Sequence, residues 1–360
     1  MQDIRSFFGG KSASSSSSPT KRRRVEAADD ASKKHMPTTP STSTPTPAAL
    51  HPFFNIKHGR RPTQSTEHAS REGAVKVDSP LPTPESMFCS TPGQTITKLS
   101  KSLDLVYWPA FIASPADAAS LYSYLLNNLA WHRVKYYKDK FKQSFSTPRW
   151  TTTFGRDDGE DPDSTYERRP RAVPTELKQI QAQIEARTGE RFNAIIVNYY
   201  ADGNDSISYH SDDEGFLGPN PAIASFTLGT PRPFLLRRKA HAPPAQPSAD
   251  ELKLKDRPSV LQPVLPTSSR AITRPTYRLP LPPGSLLLMR GRTQHEWEHS
   301  IPKSTAKGGA AVAGYGGRMN LTFRLVKKRG GTENFIQYNI GQGPQYRWDG
   351  SKMVEAGGGL

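Results

Sequence analysis

The sequence predicts a mainly β domain with flanking helices, an α+β arrangement built on an antiparallel sandwich or jelly roll. Three observations carry this expectation. β-Branched and aromatic runs recur at Ala194 to Tyr200, Ala222 to Leu228, Phe234 to Arg238, Leu286 to Met289 and Met319 to Val326, with Gly, Pro and Asp turn chemistry nearby. Two helical patterns come before this series of strands, which suits helices packed outside a sheet. Residues 318–324 alternate strictly, with Arg318, Asn320, Thr322 and Arg324 on one face and Met319, Leu321 and Phe323 on the other.

Taken in order, the chain opens with a long stretch that holds few large apolar residues. From Gly9 to Gln94 it is dominated by Ser, Thr, Pro, Lys and Arg, so it cannot bury enough surface to offset its ordering entropy and is expected to be disordered. Two short elements stand out there. Ile4, Phe7 and Phe8 form an i, i+3, i+4 triplet, one apolar face of a single helical turn. Pro19 to Val25 is a basic run followed by acidic residues, the composition of a nuclear localisation signal. Structure is expected from about Leu103. Leu105 to Trp108 reads as a strand, and Ser114 with Pro115 and Asp117 opens a helix whose stripe is Leu121, Tyr124, Leu125 and Leu129. A second helix starts near Thr175, buries Leu177, Ile180 and Ile184, and stops at Gly189. Asp202-Gly203-Asn204-Asp205 turns the first long strand into the next. The domain is thus expected over 101–328, after a basic region at 1–100 and before a tail at 329–360. An Ala/Pro-rich loop insertion interrupts it at 239–276, and Phe335 and Tyr338 suit an added edge strand.

Composition narrows the function. The formal net charge of +16 points to a polyanionic partner, and with no amphipathic membrane helix evident that partner is nucleic acid. A single cysteine, Cys89, excludes an intrachain disulfide and fits a reducing compartment. No apolar run reaches membrane-spanning length. The charges are spread beyond the N-terminal region. Between Trp131 and Lys142, the cations Arg133, Lys135, Lys138, Lys140 and Lys142 interleave with aromatics, as on a surface that contacts phosphates and stacks bases. Arg237, Arg238 and Lys239 form a second cluster, and Lys327, Lys328 and Arg329 a third.

The chemistry concentrates after the turn at 202–205. His210 and Asp212 are two apart, so an extended backbone puts an imidazole and a carboxylate on one face, two of the three ligands of a non-haem Fe(II) site. A third ligand is expected from a later strand, and on spacing alone both His295 and His299 qualify. Two guanidiniums on the polar face of 318–324 would be costly inside a sandwich unless an anion pairs with them; a small dicarboxylate fits. A sheet with one solvent-facing side is the other reading of that pattern.

Together these residues resemble a family. Asn198-x-Tyr200, His210-x-Asp212, His299-Ser300-Ile301-Pro302 and Arg318-x-Asn320-x-x-x-Arg324 resemble the AlkB-type Fe(II)/2-oxoglutarate dioxygenases over roughly Leu103 to Lys328, with the eukaryotic DNA-repair homologues most similar. The resemblance implies a double-stranded β-helix core. It implies His210, Asp212 and His299 as Fe(II) ligands, which selects His299 over His295. It also implies Arg318 for the distal carboxylate of 2-oxoglutarate, with Asn198, Tyr200 and Asn320 hydrogen-bonding that cosubstrate. Arg324 would reach the other carboxylate end or support the ligand shell. Fe(II), 2-oxoglutarate and O2 would drive oxidative demethylation of bases such as 1-methyladenine and 3-methylcytosine in DNA, releasing formaldehyde. Glu214, Asp213 and Tyr166 fall where relatives contact the flipped base. Duplex-acting relatives also carry an aromatic wedge, which the sequence does not place. The N-terminal triplet resembles a degenerate sliding-clamp motif, and the chain is expected to act as a monomer in the nucleus. Two alternatives are the same chemistry on RNA or single strands, and a catalytically silent scaffold that binds nucleic acid or the clamp.

Overall fold

The computed structural model describes residues 85–96, 102–155, 171–240, 260–264, 274, 276–304, 316–327 and 344–356. The N-terminal apolar triplet, the basic run at 19–25, Tyr166, Lys328, Arg329, Phe335, Tyr338 and most of the 239–276 insertion lie outside them.

The first helix, α1 (Pro115–Asn128), starts as its sequence dictates. Ser114 Oγ accepts from the Asp117 N–H at 3.2 Å, and Pro115 occupies the first turn, where its missing N–H costs nothing. The second, α2 (Thr175–Thr188), ends at Gly189 in the left-handed region (φ 72°), whose N–H returns to the Glu185 carbonyl.

Two antiparallel sheets form the body. The strands that carry the site are β7 (Ala194–Tyr200), β8 (Ile207–His210), β9 (Ile223–Gly229), β10 (Phe234–Arg238), β12 (Thr276–Leu279), β13 (Ser285–Arg290), β14 (Trp297–Ile301) and β15 (Arg318–Arg324). The remaining strands are β1 (Gln94–Ile96), β2 (Asp104–Trp108), β3 (Trp131–His132), β4 (Lys135–Lys138), β5 (Gln143–Ser146), β6 (Trp150–Gly155), β11 (Gln262–Pro263), β16 (Gln345–Trp348) and β17 (Met353–Glu355). The larger sheet runs β1-β2-β13-β9-β15-β7-β6-β3-β16-β17, the smaller β11-β12-β10-β14-β8, and β4 with β5 forms a separate hairpin. Consecutive strands β7 to β10 alternate one by one between the larger and the smaller sheet, and β12 to β15 do so again, the double-sheet winding of a jelly roll.

Two apolar cores result. One lies between the helices and the larger sheet, where Met319, Leu321 and Phe323 meet Leu121, Leu125, Ile180 and Ile184. The other lies between the sheets, where Phe234, Leu236 and Trp297 face Tyr200, Leu287 and Met289. The polar face of β15 therefore points between the sheets, and all four of its polar residues are buried.

Three segments differ from expectation. Order begins before Leu103: Met87, Phe88 and Ile96 are buried, and β1 pairs with β2. The insertion contributes β11 to the edge of the smaller sheet and buries Leu261. Beyond 329, β16 and β17 extend the larger sheet, with Tyr346 packed edge-on against Trp150 at 4.8 Å. Each contributes too few apolar residues for a periodicity to register.

Candidate active site

β8 and β14 lie side by side, with His299 opposite His210. Their rings are 4.3 Å apart between centroids. Asp212, two residues past His210, has left the ladder but stays close, its Oδ2 3.7 Å from His299 Nε2. One ligand atom from each of the three lies within 4.8 Å of the others. His295, by contrast, sits exposed on the short helix α3 (Thr293–Glu296), outside the cluster. The geometry thus groups His299, and not His295, with His210 and Asp212.

The protonation states suit metal binding. Burial pushes both imidazoles down, His299 to about 3, so both are neutral at pH 7. Burial opposes the charge on Asp212, yet the Arg324 guanidinium and the two imidazoles hold its carboxyl well below the usual carboxylate range. His210 Nδ1 lies 2.9 Å from the Ser208 carbonyl. A carbonyl only accepts, so Nδ1 carries the proton and Nε2 keeps its lone pair. Phe234 stacks on His299 at 5.2 Å and shields the other side of that ring. Two neutral imidazoles and one carboxylate are the donor set of the facial triad that binds Fe(II).

Arg324 Nη2 donates to Asp212 Oδ1 at 2.6 Å, and Nη1 to Thr322 Oγ1 at 2.9 Å. Of the two roles the resemblance allowed for Arg324, the geometry therefore fits support of the ligand shell. Arg318 is 1% exposed, and only its Nη2 is engaged, donating to Thr227 Oγ1 at 3.1 Å. Its Nε and Nη1 are buried without a hydrogen-bond acceptor among the described residues. Burial, opposed by Tyr200 and aided by Arg232, holds its pKa down at about 10. A guanidinium with two buried, unmet donors fits a carboxylate, so the residues present fit a dicarboxylic cosubstrate. Around it, Tyr200 presents its ring 5.6 Å from the Arg318 charge. Asn198 Oδ1 accepts from Arg149 Nε and Thr151 Oγ1, both at 3.1 Å. Asn320 Nδ2 donates to Ser225 Oγ at 2.9 Å and to the Phe226 carbonyl at 3.0 Å.

The acidic pair beyond Asp212 divides. Asp213 is exposed and receives Lys239 Nζ at 2.8 Å. Glu214 faces the cluster, and burial, then the Asp212 charge, push its carboxyl up to about 7. The basic clusters divide as well. Arg237 pairs with Glu298 and lies 3.5 Å over the Tyr209 ring, and Arg238 pairs with Glu296. With Lys239 on Asp213, this second cluster spends its charge on the protein itself. Arg133 binds Asp205 and lies over Trp150, whereas Lys135 and Lys142 are exposed on the β4–β5 hairpin. The sequence reading missed Arg149, Thr227, Arg232 and Gln294. Arg232 donates to the carbonyls of Asp202, Asp205 and Pro302, closing the loop before β8 onto the end of β14.

Residues 104–324 match the family model described as the 2OG-Fe(II) oxygenase superfamily. The chain belongs to that superfamily. Membership brings Fe(II), 2-oxoglutarate and O2 with it, and the curated relatives that match carry AlkB-homologue names. The chain is 32% identical over 183 residues to the rat alpha-ketoglutarate-dependent dioxygenase alkB homolog 3, covering 51% of this chain and 52% of that one. The cattle protein of the same name is 28% identical over 274 residues, covering 76% of this chain and 78% of its own. The Arabidopsis thaliana DNA oxidative demethylase ALKBH2 is 36% identical over 151 residues, 42% of this chain and 43% of that one. The match therefore spans about half the length of the rat relative.

Proposed function

We propose that this protein reverses alkylation damage in DNA by oxidative demethylation of bases such as 1-methyladenine and 3-methylcytosine. The observation that carries the reading is the His210–Asp212–His299 cluster set beside the unmet buried donors of Arg318. Fe(II) with 2-oxoglutarate and O2 would supply the oxidant that hydroxylates the N-methyl group, whose product then loses formaldehyde. The chain's own residues do the rest. His210, Asp212 and His299 hold the metal on one face. Arg318 takes the distal carboxylate of the cosubstrate, with Asn198, Tyr200 and Asn320 orienting it. Glu214, raised to about 7 and turned toward the cluster, is the group that meets the polar edge of the damaged base.

Such a base must leave the helix to reach a site between two sheets. Support for duplex DNA comes from the β4–β5 hairpin. Phe141, 39% exposed, sits at its turn beside Lys142, which closes the hairpin at a positive φ of 49°. Aromatic rings next to cations stack on bases while the charges meet phosphates. We assign the wedge to Phe141, and the basic chain and the relative named a DNA oxidative demethylase support nuclear DNA as the substrate.

The test is formaldehyde release from 1-methyladenine in duplex and in single-stranded oligonucleotides, with Fe(II) and 2-oxoglutarate. Turnover on DNA that vanishes in His210→Ala is expected. Absence of turnover on both substrates, with iron bound, sinks the reading. Phe141→Ala is expected to lose about tenfold on duplex while keeping its single-strand rate, the size of one stacking contact. Equal losses on both would remove the wedge.

A further inference from the structure

The three candidate ligands come from two segments, and only part of that pairing is secured by the sheet. His299 and His210 face each other on β14 and β8. Asp212 lies past the end of β8, where no strand pairing is left to hold it. Its backbone N–H instead donates to a side chain, Gln294 Oε1, at 2.9 Å. Gln294 is 1% exposed and is held at two further points: its side-chain Nε2 donates to Met289 Sδ at 3.6 Å, and its backbone carbonyl receives Lys239 Nζ at 2.9 Å. The same Lys239 ammonium reaches Asp213 Oδ2, so the loop is clipped again one residue further on.

The platform under Gln294 is fixed on both sides. Thr293 Oγ1 accepts from the Asp104 N–H at 2.9 Å and donates to the Asp104 carbonyl at 3.2 Å, tying α3 to β2. Glu296 takes Arg238 and Arg292, each at 2.7 Å. Three residues after that helix comes His299. One short, anchored segment therefore controls two of the three candidate ligands, His299 through the chain and Asp212 through the Gln294 amide.

We propose that Gln294 is a positioning residue for the metal site: its side-chain oxygen sets where the Asp212 carboxylate stands relative to His299. This rests on the metal-site reading above. A second contact divides the labour, since Arg324 fixes the carboxylate's Oδ1 while Gln294 fixes the backbone that carries it. Partners that orient ligands in this way typically govern metal affinity by about tenfold to a hundredfold.

The experiment is titration of the apo full-length chain with Mn(II) alone, a redox-stable stand-in for Fe(II), read by calorimetry and by the Mn(II) resonance spectrum. Circular dichroism of the apo protein runs alongside. Gln294→Leu keeps the volume and loses the acceptor; it is expected to bind Mn(II) at least about tenfold more weakly with an altered spectrum. Gln294→Glu restores an acceptor and is expected to return to wild-type affinity. A merely structural glutamine would lower apo stability in both variants and leave the affinity of folded protein unchanged, and that result overturns the proposal. So does a Gln294→Glu variant as weak as Gln294→Leu. Should Gln294→Leu fail to fold, Gln294→Met makes the same comparison, with a thioether of similar length beside Met289. A wild-type chain that binds no Mn(II) sinks the metal site itself, a failure distinct from wild-type-like binding by Gln294→Leu.

Discussion

Arg318 and Arg324 occupy the two ends of one strand, on one face, and both are buried, yet they are in opposite states. Arg324 has its counter-charge: it is ion-paired with Asp212 and hydrogen-bonded to Thr322. Arg318 has one neutral acceptor, Thr227, an aromatic ring nearby, and two donors with no acceptor. A protein gains nothing in stability from a buried cation left in that state, because desolvation is expensive unless a counter-charge repays it. The difference separates a residue that holds the fold's own carboxylate from one that awaits a carboxylate from outside.

That contrast predicts effects of opposite sign. The largest is Arg324→Met, which strands Asp212 as a buried charge opposite two neutral imidazoles. Breaking a buried pair from one side costs about 3–5 kcal/mol, roughly 10 °C in Tm for a domain this size. Calorimetric melting of the apo protein reads it, and a Tm within a degree of wild type would erase the distinction. Arg318→Met is expected to do the reverse to the apo chain, leaving Tm unchanged or raising it by a few degrees, since an unpaired charge is removed. Its cost falls on the cosubstrate: KM for 2-oxoglutarate rises by about a hundredfold, the weight of a lost bidentate charge-assisted contact. A destabilised Arg318→Met with normal KM would mean that the two arginines do the same work.

The parts of this site that were legible in the sequence are those written as local spacing. The two-residue step from His210, at the end of β8, to Asp212 just past it, or the alternation from Arg318 to Arg324, sets relative side-chain direction without any knowledge of the tertiary fold. Jelly-roll strands were visible for the same reason. What escaped depends on long-range pairing. Nothing near Gln294 distinguishes it from any polar residue beside a histidine, and its partner is Asp212, 82 residues away. Arg232 binds three carbonyls, groups that every residue carries. The run Arg237-Arg238-Lys239 looks like a phosphate-binding patch until Glu298, Glu296 and Asp213 arrive from other segments to take its charge. A run of like charge reports which counter-charge a surface attracts, and only the fold says whether the chain has already supplied it.

The smallest effect is the most discriminating, because it touches Arg318 without removing its charge. Thr227, wholly buried, lies opposite Asn320 on the neighbouring strand β9 and supplies the one hydrogen bond the Arg318 guanidinium makes among the described residues. Thr227→Val keeps the shape and deletes the acceptor. A hydrogen bond from a charged donor is worth about 1.5–3 kcal/mol net, so KM for 2-oxoglutarate should rise about tenfold, the low end of that range, while kcat holds. The split matters, since a group that only orients the cosubstrate's anchor acts on binding, whereas one that reached the reacting atoms would lower kcat. A fall in kcat at unchanged KM would place Arg318 near the chemistry and away from the distal carboxylate, and the contrast between the two ends of the strand would have to be redrawn.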